Sequence, residues 1–272
     1  LALSAASMSA SAADDPWRAK SRELLAHAIS IPTVAGRGKV PELAQYLADQ
    51  YRTAGWAADD IHILPYEGTP GDRTAALIVR WPAAGKAKAK PIMLMAHMDV
   101  VEAKPEDWSM DPFALVEKDG YLYGRGTSDI KQGIVAVTTA LLQLRAQGFK
   151  PKRDIVVFFT GDEETGGNGA LLGATEWKHL LDVEYGLNAD GGGGGFAPDG
   201  HPIGFTFQTA EKTYADYAFT ARNPGGHSSQ PRPDNAIYQL SEALNRLAGY
   251  RFEPALNATT RAYFDERQKR ER

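Results

Sequence analysis

Three short apolar runs constrain what this chain can fold into. Residues 76–81 (ALIVRW), 91–100 (PIMLMAHMDV) and 154–162 (DIVVFFTGD) are apolar at nearly every position instead of every second one. A strand wetted on one face alternates, so these three read as strands buried on both faces. Between the last two, residues 132–147 carry a helical pattern ended by Gly148. Helical patterns also cover 15–35, with Leu24, Leu25, Ala28 and Ile29 in register before Pro32, and 40–54, closed by Gly55. Strands alternating with helices predict the α/β class, a mostly parallel sheet flanked by helices. In such sheets ligands gather at the carboxyl ends of the strands.

The texture changes from Phe205. Residues 205–222 (FTFQTAEKTYADYAFTAR) alternate as an exposed strand would, and 235–248 read as a helix with Asp234 as its N-cap. A boundary near Gln208 is expected, giving a first domain over 14–207 and a smaller one over 208–272. A charged helix closes the chain. Residues 1–13 are small and apolar, and Ala10-Ser11-Ala12 has the form of a signal-peptide cleavage site, so a periplasmic or secreted location is expected.

Cysteine is absent, so disulfides, thiolate metal sites and cysteine nucleophiles are excluded, and any transition-metal site must use His, Asp and Glu. A net charge of −4, without a dense basic tract before the last residues, gives no footprint for nucleic acid or an anionic membrane. No stretch has the length of a membrane-spanning helix. Small molecules or peptides are the expected partners.

Four separated segments bring acids or histidine to the expected sheet edge. The second run ends in His97-Met98-Asp99, whose first and third residues share a strand face. A histidine beside a carboxylate suits a metal ligand oriented by an acid, although H-x-D alone is weak evidence. In GRGTSD, Asp129 stands at a loop-to-helix transition and, taken alone, reads as a helix N-cap. The third run delivers Asp162, Glu163 and Glu164, and NADGG presents Asp190 before a glycine loop. Clustered carboxylates repel one another, and a pair of divalent cations would hold them together and keep them ionised. The glycines do not form a phosphate loop, since GGGGG lacks the required spacing and does not open a helix. The G-x-S-x-G elbow of a serine hydrolase is missing too.

In this order AHMDV, GRGTSD, GDEETGG, NADGG and NPGGHSSQP resemble the M20 family of metallopeptidases, the carboxypeptidase and aminoacylase group with a two-zinc site. The resemblance runs from about Pro16 to Phe264 and is specific for the family, not for a substrate. It implies that His97 and Asp190 bind one zinc, Asp129 bridges two, Glu164 binds the second, Asp99 orients His97 and Glu163 is the catalytic base. It implies that His227, in the GGHSS loop, stabilises the reacting carbonyl, often across a dimer formed by an inserted lid domain. Cobalt or manganese would also suit an all-nitrogen-and-oxygen site. The implied reaction is hydrolysis of an amide next to a free carboxylate in a small peptide or N-acyl amino acid. The family completes its second zinc site with a histidine beyond the lid. His27, His62, His179 and His201 do not match that position, so the chain is expected to be a piece of a longer protein. The alternative is a catalytically incomplete metal-binding or dimerisation fragment.

Overall fold

The computed structural model describes residues 15–208, 210–211 and 213–270. The signal-peptide reading of residues 1–13 lies outside them. Two compact units divide between Gly192 and Gly193, ahead of the boundary expected near Gln208. In chain order the first unit holds α1 (Pro16–Ser30), α2 (Val40–Thr53), β1 (Ile61–Glu67), β2 (Arg73–Trp81), β3 (Ile92–His97), β4 (Val116–Lys118) and β5 (Tyr121–Tyr123). It continues with α3 (Lys131–Ala146), β6 (Ile155–Thr160), α4 (Asn168–Ala174) and β7 (Tyr185–Asn188). The second unit holds β8 (Gly193–Phe196), β9 (Pro202–Thr206), α5 (Ala236–Gly249) and α6 (Ala258–Arg270).

Local chemistry sets the helix limits. Asp15 caps α1 by accepting from the Trp17 N–H at 3.0 Å, and Pro16 occupies the first turn, where its missing N–H costs nothing. Ile31 is extended, as a residue before proline prefers, and the helix stops there. Helix α2 buries Leu43, Leu47 and Tyr51 on one stripe, and α3 buries Ile134, Thr138, Leu141 and Leu142.

The five-stranded sheet has the order β1-β2-β6-β3-β7. Strands β6, β3 and β7 are parallel, whereas β2 runs antiparallel to both β6 and β1, so the sheet is mixed around a parallel half. The β1–β2 hairpin was not read from the sequence, because Pro65 interrupts the apolar residues of β1, which an edge strand tolerates. Alternation then builds two layers. Leu77, Val79, Val157 and Phe159 join the core made with α1, α2 and α3. Ala76, Ile78, Val156 and Phe158 face the other way, towards Trp177, Leu180 and Leu181. Burial on both faces, expected of all three apolar runs, holds for β2 and β6, while Ile92 to Met95 of β3 are only half-buried.

Two expectations for the second unit are corrected. No strand forms among the described residues of 207–222, since an alternating pattern makes a strand only where a neighbour accepts its hydrogen bonds. Asn235 caps α5 in place of Asp234, whose carboxylate is held by the Arg232 guanidinium at 2.8 and 2.7 Å. The glycine run enters β8, which pairs with β9 in a two-stranded hairpin. No described helix is long and apolar enough to cross a membrane.

Phe159 is fully buried at the centre of the sheet, whereas Phe205 in β9 is 73% exposed. Phe159→Ala is expected to cost about 3–5 kcal/mol through lost burial and the cavity left behind. Phe205→Ala should stay within about 0.5 kcal/mol. Urea denaturation of the two variants checks the contrast.

Candidate metal centre

The parallel half of the sheet positions the site. His97 ends β3, the acidic turn follows β6, and Asp190 follows β7, so three neighbouring strands discharge at one edge. Asp129 arrives from the turn before α3. It does not cap that helix: Ile130 is the cap residue, without a side-chain cap bond, and the Asp129 carboxylate turns to His97 instead.

His97 is 2% exposed. Its Nδ1 lies 3.0 Å from the carbonyl oxygen of Asp99 and 3.4 Å from its carboxylate. A proton on Nδ1 donated to Asp99 leaves Nε2 free to ligate. Around Nε2 stand Asp129 Oδ1 at 3.1 Å, Asp190 Oδ2 at 3.6 Å and Glu163 Oε2 at 3.7 Å. Two overlapping groups result, His97 with Asp129 and Glu164, and His97 with Glu163 and Asp190, with the ligand atoms of each group within 4.8 Å of one another. Six of the seven residues singled out in the sequence therefore converge. Glu163, read as a base and not a ligand, stands among the candidate ligand atoms.

Asp99 does more than face His97. Its two oxygens accept from the backbone N–H groups of Glu163 at 3.1 Å and Glu164 at 2.9 Å, which fixes both residues from beneath. Asp162, 1% exposed, holds the rest of the turn. Its carbonyl accepts from the N–H groups of Thr165, Gly166 and Gly167, and its carboxylate from those of Asn168 at 2.6 Å and Gly169 at 3.0 Å. The Tyr66 hydroxyl donates to the same carboxylate at 2.6 Å.

The electrostatics call for positive charge. Burial opposes protonation of His97, but the hydrogen bond to Asp99 and the charges of Asp99, Glu163 and Asp190 outweigh it and push the pKa up to about 9. Glu163 is raised by burial and, against the pull of His97, by Asp190, Asp99 and Asp129. Glu164 is raised by burial and then by Asp129. Carboxylates converging on one imidazole exceed what a single proton balances, and a divalent cation supplies the missing charge. One nitrogen and several carboxylate oxygens suit zinc, cobalt or manganese.

Sequence reasoning missed Lys131 and Tyr66. Lys131 is fully buried, and its Nζ donates to the carbonyls of Ala28 at 2.8 Å and Ile31 at 2.7 Å at the end of α1. Burial lowers its pKa to about 7. A lysine opening an otherwise apolar helix face was the only local signal. His227 belongs to the second unit and is exposed, with Nδ1 2.9 Å from Ser229 Oγ. His27 stacks on Tyr46 at 3.7 Å between ring centroids. Among the described residues, His27, His62, His179 and His201 join neither group.

Comparison with known proteins points the same way. Residues 93–264 match the profile of peptidase family M20/M25/M40. Carboxypeptidase S of Saccharomyces cerevisiae is 30% identical over 256 residues, covering 88% of this chain and 43% of that protein. The N-fatty-acyl-amino acid synthase/hydrolase PM20D1 of Xenopus tropicalis is 34% identical over 161 residues, covering 58% of this chain and 31% of that protein. The dipeptidase Dug1p of Saccharomyces cerevisiae superposes with a TM-score of 0.58 at 23% identity, covering 67% of this chain and 40% of that one. Human carnosine dipeptidase 1 gives 0.55 at 19% identity, covering 66% and 41%. These two likenesses speak for the fold. The chain spans about a third of the length of the first curated relatives it matches.

Asp99→Ala removes the acceptor beneath both glutamates and the partner of His97 Nδ1. Metal affinity is expected to fall about 10–100-fold. Isothermal titration with Zn²⁺ against the unsubstituted protein measures it.

Proposed function

The chain belongs to peptidase family M20/M25/M40, and from that premise we propose that it carries the metal-binding part of an enzyme that hydrolyses amides. The bond cut lies next to a free carboxylate in a small peptide or N-acyl amino acid. One observation carries this reading: His97, Asp129, Glu163, Glu164 and Asp190 converge at the carboxyl ends of three parallel strands. The activities for which the relatives are named, carboxypeptidase and N-fatty-acyl-amino acid hydrolase, support it.

On this reading His97, Asp129, Glu164 and Asp190 would hold two zinc ions. When bound, the metals polarise the substrate carbonyl and lower the pKa of water. The remaining work falls to the chain's own residues. Glu163 is half exposed at the mouth of the cluster and takes the proton of the attacking water, later giving it to the departing amine. Burial, the main cause of its raised pKa, makes Glu163 a stronger proton acceptor for the first of these transfers. Asp99 keeps His97 in the tautomer that leaves Nε2 free. His227, matched through NPGGHSSQP, stabilises the oxyanion. Residues 208–272 then belong to a lid that pairs two copies, and the Ala10-Ser11-Ala12 triplet supports work in the periplasm or outside the cell.

A second reading, an incomplete metal-binding fragment, is favoured by one observation: both groups draw on the same histidine. Metal stoichiometry, with hydrolysis of N-acyl amino acids, separates the two. Two metals with turnover support the enzyme, and one metal without turnover supports the fragment.

Glu163→Gln is expected to retain metal and lose about 10²–10⁴-fold in kcat, as removal of a general base does. Glu164→Ala should lose metal together with turnover. Elemental analysis beside kinetics checks both, and unchanged turnover in Glu163→Gln removes it from the mechanism. His227→Ala should lower kcat with metal content intact.

A further inference from the structure

We propose that Tyr66 is a positioning residue for Glu163 and Glu164, acting through Asp162. The kinetic part of this inference rests on the amide-hydrolase reading above; the structural part does not.

All seven backbone N–H groups from Glu163 to Gly169 are bonded to an oxygen of Asp99 or Asp162. Asp99 also faces His97, so its place is fixed by the metal cluster itself. Asp162 has no such second anchor within the cluster. Its side chain is held at Oδ1 by the Tyr66 hydroxyl, and that hydroxyl accepts in turn from the Gly161 N–H at 3.0 Å. Tyr66 thus braces the residue that enters the turn and the side chain around which the turn is wound.

The brace reaches in from β1, the far edge of the sheet, and its ring is set by an edge-on contact with Trp177 at 5.5 Å between centroids. Little slack exists around it. A Cβ on Gly169 would lie 2.3 Å from the Tyr66 oxygen, and one on Gly161 would lie 2.4 Å from Thr74 Oγ1. Where packing is this close, losing one oxygen shifts the backbone that carries the two glutamates. Without the hydroxyl the buried carboxylate loses a donor, and its hold rests on the amides of Asn168 and Gly169 alone. Tyr66 belongs to neither of the candidate ligand groups, and its hydroxyl bonds to Asp162 and Gly161, so its effect on them is indirect.

Tyr66→Phe keeps the ring and its packing on Trp177 and removes only the hydroxyl. Three measurements decide the matter: hydrogen exchange followed by mass spectrometry over 163–169, Zn²⁺ affinity by titration, and steady-state kinetics. The expected result is faster exchange confined to that turn, an affinity loss of about tenfold, and a kcat reduced about tenfold at unchanged KM. Asp162→Asn should reproduce these changes, and adding Tyr66→Phe to it should change little more, because the two groups act as one. Asp162→Asn also serves as the test should Tyr66→Phe not fold. A lower Tm with exchange at 163–169 and Zn²⁺ affinity both unchanged reduces Tyr66 to a packing contact and overturns the proposal. If the unsubstituted protein shows no hydrolysis, the functional reading fails, and exchange and affinity alone still decide the role of Tyr66.

Discussion

Everything at the carboxyl edge of the sheet depends on how two aspartates satisfy the backbone of one turn. Residues that follow a buried strand carry N–H groups that no ladder accepts, and leaving them unpaired out of water costs about 1–3 kcal/mol each. Asp99 and Asp162 accept all seven from Glu163 to Gly169. The partial positive charge of those amides in turn stabilises two carboxylates that are almost wholly buried. A turn held in this way can project Glu163 and Glu164 without using their side chains for its own support, so both remain free to meet His97, Asp129 and Asp190.

The sheet makes this convergence unavoidable. With β6 between β2 and β3, and β7 on the other side of β3, the parallel strands end side by side. Residues far apart in the chain, from His97 to Asp190, therefore meet within a few ångströms. Helices α1, α2 and α3 fill one face with Leu24, Leu43, Leu47 and Ile134, and the strand pairings then leave the site little freedom. Lys131 and Thr33 tie that helical layer to the site. Lys131 reaches the end of α1 from the helix that follows Asp129, and Thr33 donates to the Met98 carbonyl between His97 and Asp99 at 2.6 Å.

Much of this was legible in the residues. The apolar runs announced β2, β3 and β6, and the acids at their ends announced the site, because burial on two faces and abrupt polarity leave a strong local mark. Asp162 stood in plain view beside the two glutamates at the end of the third run. Other elements left no such mark. Strand β1 is broken by Pro65 and becomes a strand through pairing with β2, and β8 is made mostly of glycine. Tyr66 lies 96 residues from Asp162 and Lys131 lies 103 from Ala28, and a contact across that separation exists only once the chain is folded. The alternating stretch failed in the opposite sense over 207–222: the pattern was present, and no described neighbour completes it.

The four-residue strand β7 gives the site an uneven firmness. It hydrogen-bonds to β3 alone and is exposed along its length, whereas β6, which carries the glutamates, is paired on both sides and buried. Edge strands fray first, opening at a small fraction of the free energy needed to unfold a core. Asp190 sits just past that edge, so of the clustered acids it follows the least firmly held strand, whereas the two glutamates follow the most firmly held one.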